Sequence, residues 1–368
     1  MPERRIRVLI VDDSSLVRKV LSDLLSADPA IEVVGTAADP YAARDKIESL
    51  QPDVLTLDIE MPRMDGLSFL KLLMRHRPMP VLVISSLTTT GSLKALEALQ
   101  AGAVDVMPKP TGPLSGPTEA VALTAKVKAA FQARFKRVIE AARPTPASAR
   151  AGTVAGHTAR AGASAPRHYS SREVILMGAS TGGTEALKKV LTELSECPPA
   201  ICVVQHIPAY FSRAFADRLN TLCRFAVREA QHGDKVQPGL ALIAPGGYHM
   251  VLRWIGHGYV VDLNEGPMLH HQRPAVDMLF DSAVRAGAGP HTLALLLTGM
   301  GADGAAGLLR LKEAGATTVA QDEASCVVFG MPREAIRLGA AQKVLSLDHM
   351  SSFIERHSQE AAVQKMGP

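Results

Sequence analysis

The sequence has few aromatic residues and no long apolar run. Phe, Trp and Tyr make up 4% of its 368 residues, with a single Trp, so the stacking platforms that hold single-stranded nucleic acid are not expected. No apolar run approaches the length that spans a bilayer, and Arg4, Arg5 and Arg7 lead directly into an apolar run rather than a signal sequence. We therefore expect a cytoplasmic protein without direct membrane insertion.

Cysteine is also scarce. The four cysteines form no CxxC pair, and each lies among apolar residues. This pattern predicts buried free thiols in a reducing compartment, rather than a disulfide or a metal site, for Cys197, Cys202, Cys223 and Cys326.

Acidic residues are absent from residues 141–171, which contain four arginines. This segment accounts for the formal net charge of +4, so the remainder is close to neutral and offers no basic domain for nucleic acid. Residues 143–170 are rich in Ala, Gly, Ser, Thr and Pro and lack hydrophobic periodicity, which predicts a flexible tether spanning roughly 30 Å on average. A lid with a function of its own is the alternative.

The chain before this tether alternates five apolar runs with helical patterns. Continuous apolar runs separated by helices predict a parallel α/β sheet covered on both faces. A last amphipathic helix is predicted over residues 118–142, with one side formed by Val121, Val127, Phe131, Phe135 and Val138.

Polar side chains stand at the ends of these predicted strands. Asp12 and Asp13 follow the first strand, Asp58 ends the third, Ser85 the fourth and Lys109 the fifth. Because ligands bind beyond the carboxyl ends of parallel strands, the three carboxylates should meet, and a divalent ion such as Mg²⁺ would relieve their repulsion. Taken singly, the same residues could be a helix cap, a turn residue and a solvated strand end.

The motifs VDDS, LDIEMPRMDG, SS and KP, in this order, resemble a two-component receiver domain over about the first 120 residues. The resemblance implies a doubly wound, flavodoxin-like fold with Asp58 as the phospho-acceptor. It also implies a Mg²⁺ site formed by Asp12, Asp13, Asp58 and the Glu60 backbone carbonyl, and phosphoryl contacts from Ser85 and Lys109.

One position departs from the receiver pattern. Many receivers carry Tyr or Phe three residues before the lysine, whereas this chain has Val106. We therefore do not expect an aromatic side chain to relay the signal, whereas phosphorylation by a histidine kinase is still expected.

The second half begins with MGASTGG, which follows an apolar run and leads into a helical pattern. This frame places Ser180 at a strand-to-helix corner, where a hydroxyl stands clear of the sheet and the first helical N–H groups face whatever it attacks. A nucleophile, a phosphate cradle and a plain tight turn all fit the stretch. Further alternating runs predict a second doubly wound parallel α/β sheet.

A serine nucleophile needs an imidazole to take its proton and a carboxylate to orient the ring. His206 ends one predicted strand, and Asp303 lies in the Gly-rich turn that follows another. Competing candidates remain from strand-end reasoning alone: His249, His270, His271 and His291, and Asp234, Asp262, Asp277 and Asp322.

The order GASTGG, VVQHIP, IAPGGYHM, RPAVDMLF, LTGMGADGAAG and QDEASCVVFGMPREAI is similar to the catalytic domain of the chemotaxis protein-glutamate methylesterases, commonly called CheB. The similarity covers nearly the whole second half and follows a receiver, as in that family. It implies that Ser180 is the nucleophile, His206 the general base and acid, and Asp303 the orienting acid. Backbone N–H groups of Thr181 and Met300 are the implied oxyanion donors.

The implied reaction is hydrolysis of glutamate γ-methyl esters on methyl-accepting chemoreceptors, with methanol as the product. Deamidation of receptor glutamine is chemically parallel and occurs in some members of the family. The family resemblance implies no cofactor for the esterase step and a chemotaxis histidine kinase as the phosphodonor. We further hypothesise that the unphosphorylated receiver covers the Ser180 crevice.

The predicted organisation is a receiver over residues 4–124, a terminal helix and linker over 125–171, and a methylesterase domain over 172–366. A nucleotide-dependent oxidoreductase is a poorer fit, because GASTGG lacks the GxGxxG spacing. A DNA-binding response regulator would carry a basic helical domain after the linker. A non-catalytic interaction module is the third alternative.

Overall fold

The chain folds into two parallel α/β sheets, followed here in a computed structural model that describes residues 4–62, 64–86, 88–110, 117–133 and 169–365. The predicted doubly wound architecture of both halves is confirmed. Most of the predicted tether lies outside the described residues, and so does the end of the predicted helix before it, including Phe135 and Val138.

The receiver half has a five-stranded sheet in the order β2-β1-β3-β4-β5, and every strand pair is parallel. Its elements alternate strictly: β1 (Ile6–Val11), α1 (Ser15–Ser26), β2 (Ile31–Ala37), α2 (Pro40–Leu50), β3 (Val54–Asp58), α3 (Gly66–His76), β4 (Val81–Ser85), α4 (Thr89–Gln100), β5 (Asp105–Pro108) and α5 (Pro117–Gln132).

Local sequence explains where several of these helices begin. Ser14, Asp39 and Asp65 precede α1, α2 and α3, and each side chain accepts a hydrogen bond from a backbone N–H of the first turn. Such caps set the strand-to-helix turns, and those turns hold the polar residues at the sheet edge.

Helix α5 differs from the amphipathic helix predicted for residues 118–142. Val127 is buried as expected, but Val121 and Phe131 are 45% and 42% exposed, so the predicted face is wrong. Leu123 and Ala130 pack with Val127 in the receiver core instead. Because Val127 and Ala130 belong to this core, the receiver packs beyond residue 124; the domain boundaries otherwise stay predictions.

The second half has a seven-stranded parallel sheet in the order β15-β14-β13-β6-β7-β10-β8. Its elements are β6 (Val174–Ala179), α6 (Gly183–Thr192), β7 (Ala200–Gln205), α7 (Ala209–Leu222), β8 (Ala226–Glu229), β9 (Lys235–Val236), β10 (Leu240–Ile243), β11 (His249–Trp254), β12 (Tyr259–Asn264), α8 (Val276–Arg285), a 3₁₀ turn (Gly289–His291), β13 (Thr292–Leu296), α9 (Ala305–Glu313), β14 (Thr317–Gln321), α10 (Met331–Arg337), β15 (Lys343–Leu345) and α11 (Leu347–Lys365).

A second, antiparallel sheet in the order β11-β12-β9 was not predicted. Strands β11 and β12 form a hairpin in which Met250 and Leu252 are buried, whereas Arg253 and Asp262 form an ion pair at 2.7 Å. This sheet precedes α8, the helix whose first turn reaches the site described below.

The two halves pack against each other through α4, α6 and α7. Leu96 and Leu99 of α4 share one apolar cluster with Phe215 and Leu219 of α7. Because the cluster continues across both halves, the receiver is held against the second sheet by apolar burial.

The four cysteines are free, as predicted. Cys202 and Cys326 are buried, whereas Cys223 is only half-buried and Cys197 is exposed, so the predicted burial is wrong for Cys197. Burial raises the pKa of Cys202 to about 12 and that of Cys223 to about 11. Among the described residues, none of the helices combines the length and the apolar character that a membrane span requires.

Candidate active site and phosphorylation site

Ser180 lies at the corner between β6 and α6. Its N–H donates to the Thr298 carbonyl at 3.0 Å, and its carbonyl accepts from the Gly183 N–H at 2.7 Å. Gly182 has φ +78°, in the left-handed region that glycine adopts without strain, and this residue lets the chain turn sharply into the helix. The serine is therefore held by backbone bonds at the carboxyl edge of the sheet.

His206 and Asp303 reach the same edge from neighbouring strands. His206 follows β7, which pairs with β6, and its N–H donates to the Ala179 carbonyl at 3.1 Å. Its Nε2 lies 2.7 Å from Asp303 Oδ2. Asp303 also accepts the N–H groups of Val276 and Asp277 at 2.7 and 2.9 Å, at the first turn of α8.

These contacts decide the charge of Asp303. Its burial alone would raise the pKa of the carboxyl, but the hydrogen bond and charge of His206 and the two N–H donors of α8 outweigh that effect and lower the pKa below its ordinary value. A buried carboxylate that stays ionised is suited to fix one tautomer of the imidazole.

Two side chains that the sequence reasoning missed support this corner. The Gln205 amide donates to the carbonyls of Ser180 and His206 at 2.9 and 3.2 Å, so it ties the two residues together. The Thr298 hydroxyl donates to the Thr181 carbonyl at 3.0 Å. Gln205 precedes His206 and Thr298 lies two residues before Met300, and this closeness in the sequence is the only signal that indicates them.

The backbone N–H groups of Thr181 and Met300 have no hydrogen-bond acceptor among the described residues. Backbone N–H groups without an acceptor are the kind of donor that an oxyanion requires. Their assignment as oxyanion donors stays a prediction, as do the roles of Ser180, His206 and Asp303.

Gly299 lies against the serine, and this contact gives a test of the corner. A Cβ at this position would lie 2.6 Å from Ser180 Cβ and would also meet the Met331 sulfur. We expect Gly299→Ala to displace the serine and to lower turnover by about 10²-fold, as a misplacement near 1 Å does. Steady-state kinetics on a methyl ester check this expectation, and Gly258→Ala, which has open space, is the control. Unchanged kinetics in Gly299→Ala would contradict it.

The competing histidines lie elsewhere or face other partners. His249 is fully buried, with Nε2 3.0 Å from the Pro267 carbonyl and Nδ1 accepting the Ala275 N–H, so it does not face a substrate. His270 Nε2 lies 3.0 Å from Asp277 Oδ2. His271 is exposed.

His270, Asp277 and Asp303 place one potential metal-ligating atom each within 4.8 Å of one another. The oxygens of the two carboxylates already accept hydrogen bonds, from His206 and His270 and from backbone N–H groups that include Gly307. The side chains of this cluster are therefore joined by hydrogen bonds to one another and to the backbone.

In the receiver, Asp58 and Asp12 face Lys109. The ammonium lies 2.8 Å from Asp58 Oδ2 and 3.1 Å from Asp12 Oδ2. Burial raises the pKa of Asp58 to about 6, although the bond and charge of Lys109 oppose that rise. Burial likewise raises the pKa of Asp12.

These residues fit a divalent cation. Asp12, Asp13 and Asp58 each place one oxygen within 4.8 Å of the others, and Asp12 Oδ2 is buried without a well-formed hydrogen bond, although Lys109 is near. Oxygen ligands of this kind are those that Mg²⁺ prefers.

Ser85 and Glu60 belong to the same edge but engage other groups. The Ser85 hydroxyl donates to the Gly91 carbonyl, in the first turn of α4, at 3.3 Å. The Glu60 N–H donates to Asp58 Oδ1 at 3.1 Å, and its carboxylate accepts from Ser86 at 2.6 Å.

The receiver contacts the residue next to the candidate nucleophile. The Thr181 hydroxyl donates to Asp105 Oδ2 at 2.7 Å, and Lys126 of α5 lies 2.7 Å from the same oxygen. Arg218 of α7 donates to Gln100 of α4 at 2.7 Å. Thr181 is 3% exposed and buried at this contact.

Comparisons with known proteins agree with both halves. The response regulator receiver domain model matches residues 8–115, and the CheB methylesterase model matches residues 175–354. The two matches define a response regulator that carries a CheB methylesterase domain.

Similar proteins extend over nearly the whole chain. Protein-glutamate methylesterase/protein-glutamine glutaminase 2 of Syntrophus aciditrophicus is 51% identical over 96% of this chain and 99% of its own length. Protein-glutamate methylesterase/protein-glutamine glutaminase 4 of Anaeromyxobacter dehalogenans is 51% identical over 97% of this chain and 96% of its own length. The corresponding protein 1 of Cupriavidus metallidurans is 48% identical over 97% of this chain and 97% of its own length. The chain belongs to the protein-glutamate methylesterase/protein-glutamine glutaminase family.

Proposed function

We propose that this chain hydrolyses glutamate γ-methyl esters on chemoreceptors and that phosphorylation of its receiver controls the reaction. The observation that carries the proposal is the 2.7 Å contact of His206 with Asp303 beside the Ser180 corner. Relatives of about half identity over nearly full length support the same substrate, because their names state protein-glutamate methylesterase activity.

Ser180 attacks the ester carbonyl in this scheme. Since the Nε2–H of His206 donates to Asp303, Nδ1 is the nitrogen that takes the serine proton and then protonates departing methanol. The N–H groups of Thr181 and Met300 stabilise the oxyanion. Water, activated by His206, then releases glutamate and restores the serine.

The same residues would hydrolyse a glutamine side chain, with ammonia as the leaving group. The relatives' second activity, protein-glutamine glutaminase, supports this second reaction. Each proton transfer has a donor or acceptor in the triad, so we propose that the esterase step needs no cofactor.

For the receiver, we propose that Asp58 accepts a phosphoryl group from a chemotaxis histidine kinase. Asp12, Asp13, Asp58 and the Glu60 carbonyl would hold Mg²⁺, which when bound balances the charge of carboxylates and phosphoryl oxygens. Lys109 and Ser85 would contact the phosphoryl group. The cytoplasmic location expected from the sequence stays a prediction.

The unphosphorylated receiver restrains the site, and the bond from Thr181 to Asp105 is the contact that supports this view. It immobilises the residue whose N–H should bind the oxyanion. When Ser85 turns toward a phosphoryl group it releases Gly91 of α4, the helix that packs on α7. A change at Asp58 can therefore loosen the interface.

The function is tested by measuring methanol released from methylated receptor fragments, using the full chain with and without a small-molecule phosphodonor and Mg²⁺. Ser180→Ala is the blank. Methanol from the native chain alone, raised by the phosphodonor, supports the proposal. If the native chain and Ser180→Ala release equal amounts of methanol, the alternative of a non-catalytic interaction module is favoured.

Asp105→Asn tests the restraint separately. The loss of a charged acceptor for Thr181 should raise the unphosphorylated rate about tenfold, since hydrogen bonds to charged groups contribute about 1.5–3 kcal/mol. Asp28→Asn is the matched control, because Asp28 pairs with Lys128 of the same α5 helix at 2.6 Å. Asp58→Asn should stay at the basal rate with phosphodonor. A basal rate in Asp105→Asn equal to that of the native chain would contradict the restraint.

A further inference from the structure

A tight turn before α8 carries two histidines in an unusual backbone conformation. Leu269 and Gln272 exchange backbone hydrogen bonds at 3.1 and 2.9 Å, and His270 and His271 between them have φ of +52° and +59°. Turns with both central residues in the left-handed region strongly favour Asn and Gly. Two histidines there raise the energy of the turn, and such strain often accompanies a functional side chain.

The strained turn places the His270 imidazole on a buried carboxylate. His270 Nε2 lies 3.0 Å from Oδ2 of Asp277, whose side chain is almost fully buried, while Oδ1 of Asp277 accepts the Gly307 N–H at 2.6 Å. The Asp277 N–H donates to Asp303 Oδ1 at 2.9 Å. A second histidine–carboxylate pair therefore lies directly behind the pair of His206 and Asp303.

We propose that His270 and Asp277 form a positioning pair for the triad, which holds a second negative charge behind Asp303 and so favours the proton on His206. The inference rests on the proposed esterase function and adds two residues to it. Neither residue needs to touch the substrate, because each acts through Asp303.

The charged groups around Asp277 support this role. It faces His270, the carboxylate of Asp303, and Arg310 at 3.9 Å, which is itself paired with Asp281 at 2.6 Å. Burial, and then the charge of Asp303, raise the pKa of Asp277, whereas the Gly307 N–H and His270 oppose that rise. The His270 imidazole, within hydrogen-bond distance of Asp277, thus favours the ionised form of this carboxyl.

Two variants test the pair through the pH dependence of methyl ester hydrolysis by the phosphodonor-activated full chain. Asp277→Asn removes the charge and should lower kcat about tenfold with KM within about twofold, and move the acid limb of kcat/KM to lower pH by about one unit. His270→Asn should change both quantities in the same direction, since Asp277 without its donor is protonated more readily.

Thermal unfolding separates this role from a structural one. Asn tolerates the left-handed conformation better than His, so His270→Asn should unfold at the same or a higher temperature while its kcat falls. His271→Asn, at the neighbouring position of the turn, is the matched control and should keep the native kcat and pH profile.

Native kcat and an unmoved acid limb in both Asp277→Asn and His270→Asn would overturn the inference, and so would a change confined to KM. If Asp277→Asn does not fold, the kcat and pH profile of His270→Asn alone test the inference. Ser180→Ala, measured in parallel, separates failure of the esterase proposal from failure of the positioning pair. Full activity in Ser180→Ala would contradict the proposed esterase function itself. An inactive Ser180→Ala together with native kcat and pH profile in His270→Asn would contradict only the positioning pair.

Discussion

Ser180→Ala is expected to lower the rate of methanol release by about 10⁴- to 10⁶-fold, the loss that follows removal of a triad nucleophile. The reason is chemical rather than structural. The serine is held by its backbone N–H and carbonyl, through Thr298, Gly183 and Gln205, and alanine keeps all three bonds. Only the hydroxyl that we propose as the nucleophile is lost.

The measurement is single-turnover and steady-state methanol release from methylated receptor fragments, with circular dichroism to verify folding. Ser352→Ala, an exposed serine on α11, serves as the matched control. Residual hydrolysis from the oxyanion donors and binding is expected to persist at a low level. A Ser180→Ala rate within tenfold of the native rate would remove Ser180 as the nucleophile.

The sequence predicts the site best where a short motif coincides with a strand end. The apolar runs before Asp58, Ser180 and His206 predicted buried parallel strands, and the structure places all three residues at sheet edges. Parallel strands deliver their ends to one edge, so the periodicity of the runs was enough to bring distant residues together.

The pattern of apolar residues does not predict elements whose packing partners are distant in the sequence. The antiparallel hairpin β11–β12 was missed, although Gly256 and Gly258 mark its turn, because the rest of the domain favoured alternating strands and helices. Val121 and Phe131 fit a helical stripe but are 45% and 42% exposed, so the stripe does not mark the packed face of α5.

The supporting contacts of the site could not be read from the sequence at all. Gln205 and Thr298 are polar residues at the ends of apolar runs, and nothing local shows which carbonyl each one reaches. The contact between Thr181 and Asp105 joins residues 76 positions apart. Such contacts depend on how two sheets pack, which no local pattern records.

Asp303→Asn is expected to lower kcat by about 10⁴-fold, because an amide in place of the carboxylate no longer enforces one imidazole tautomer and no longer stabilises the imidazolium. In the native chain the pKa of Asp303 is held below its ordinary value. The carboxylate therefore remains ionised at neutral pH. The effect should be a fall in kcat at every pH, with KM little changed.

The same substitution should also reduce stability, and the sign follows from the lowered pKa. A carboxyl whose pKa is lower in the folded state stabilises the fold above its unfolded pKa and loses that contribution as pH falls through its folded pKa. Asp303→Asn removes this contribution and leaves two N–H donors of α8 with one good acceptor. Asp262→Asn, which removes a partly exposed carboxylate of the β11–β12 hairpin, is the control.

Kinetics and unfolding together decide the role of Asp303. A destabilised Asp303→Asn that retained a native rate per folded molecule would make Asp303 a structural cap of α8. A folded variant with a rate lower by orders of magnitude makes it the orienting acid. Because Asp303 contacts both His206 and the first turn of α8, only the rate per folded molecule separates these outcomes.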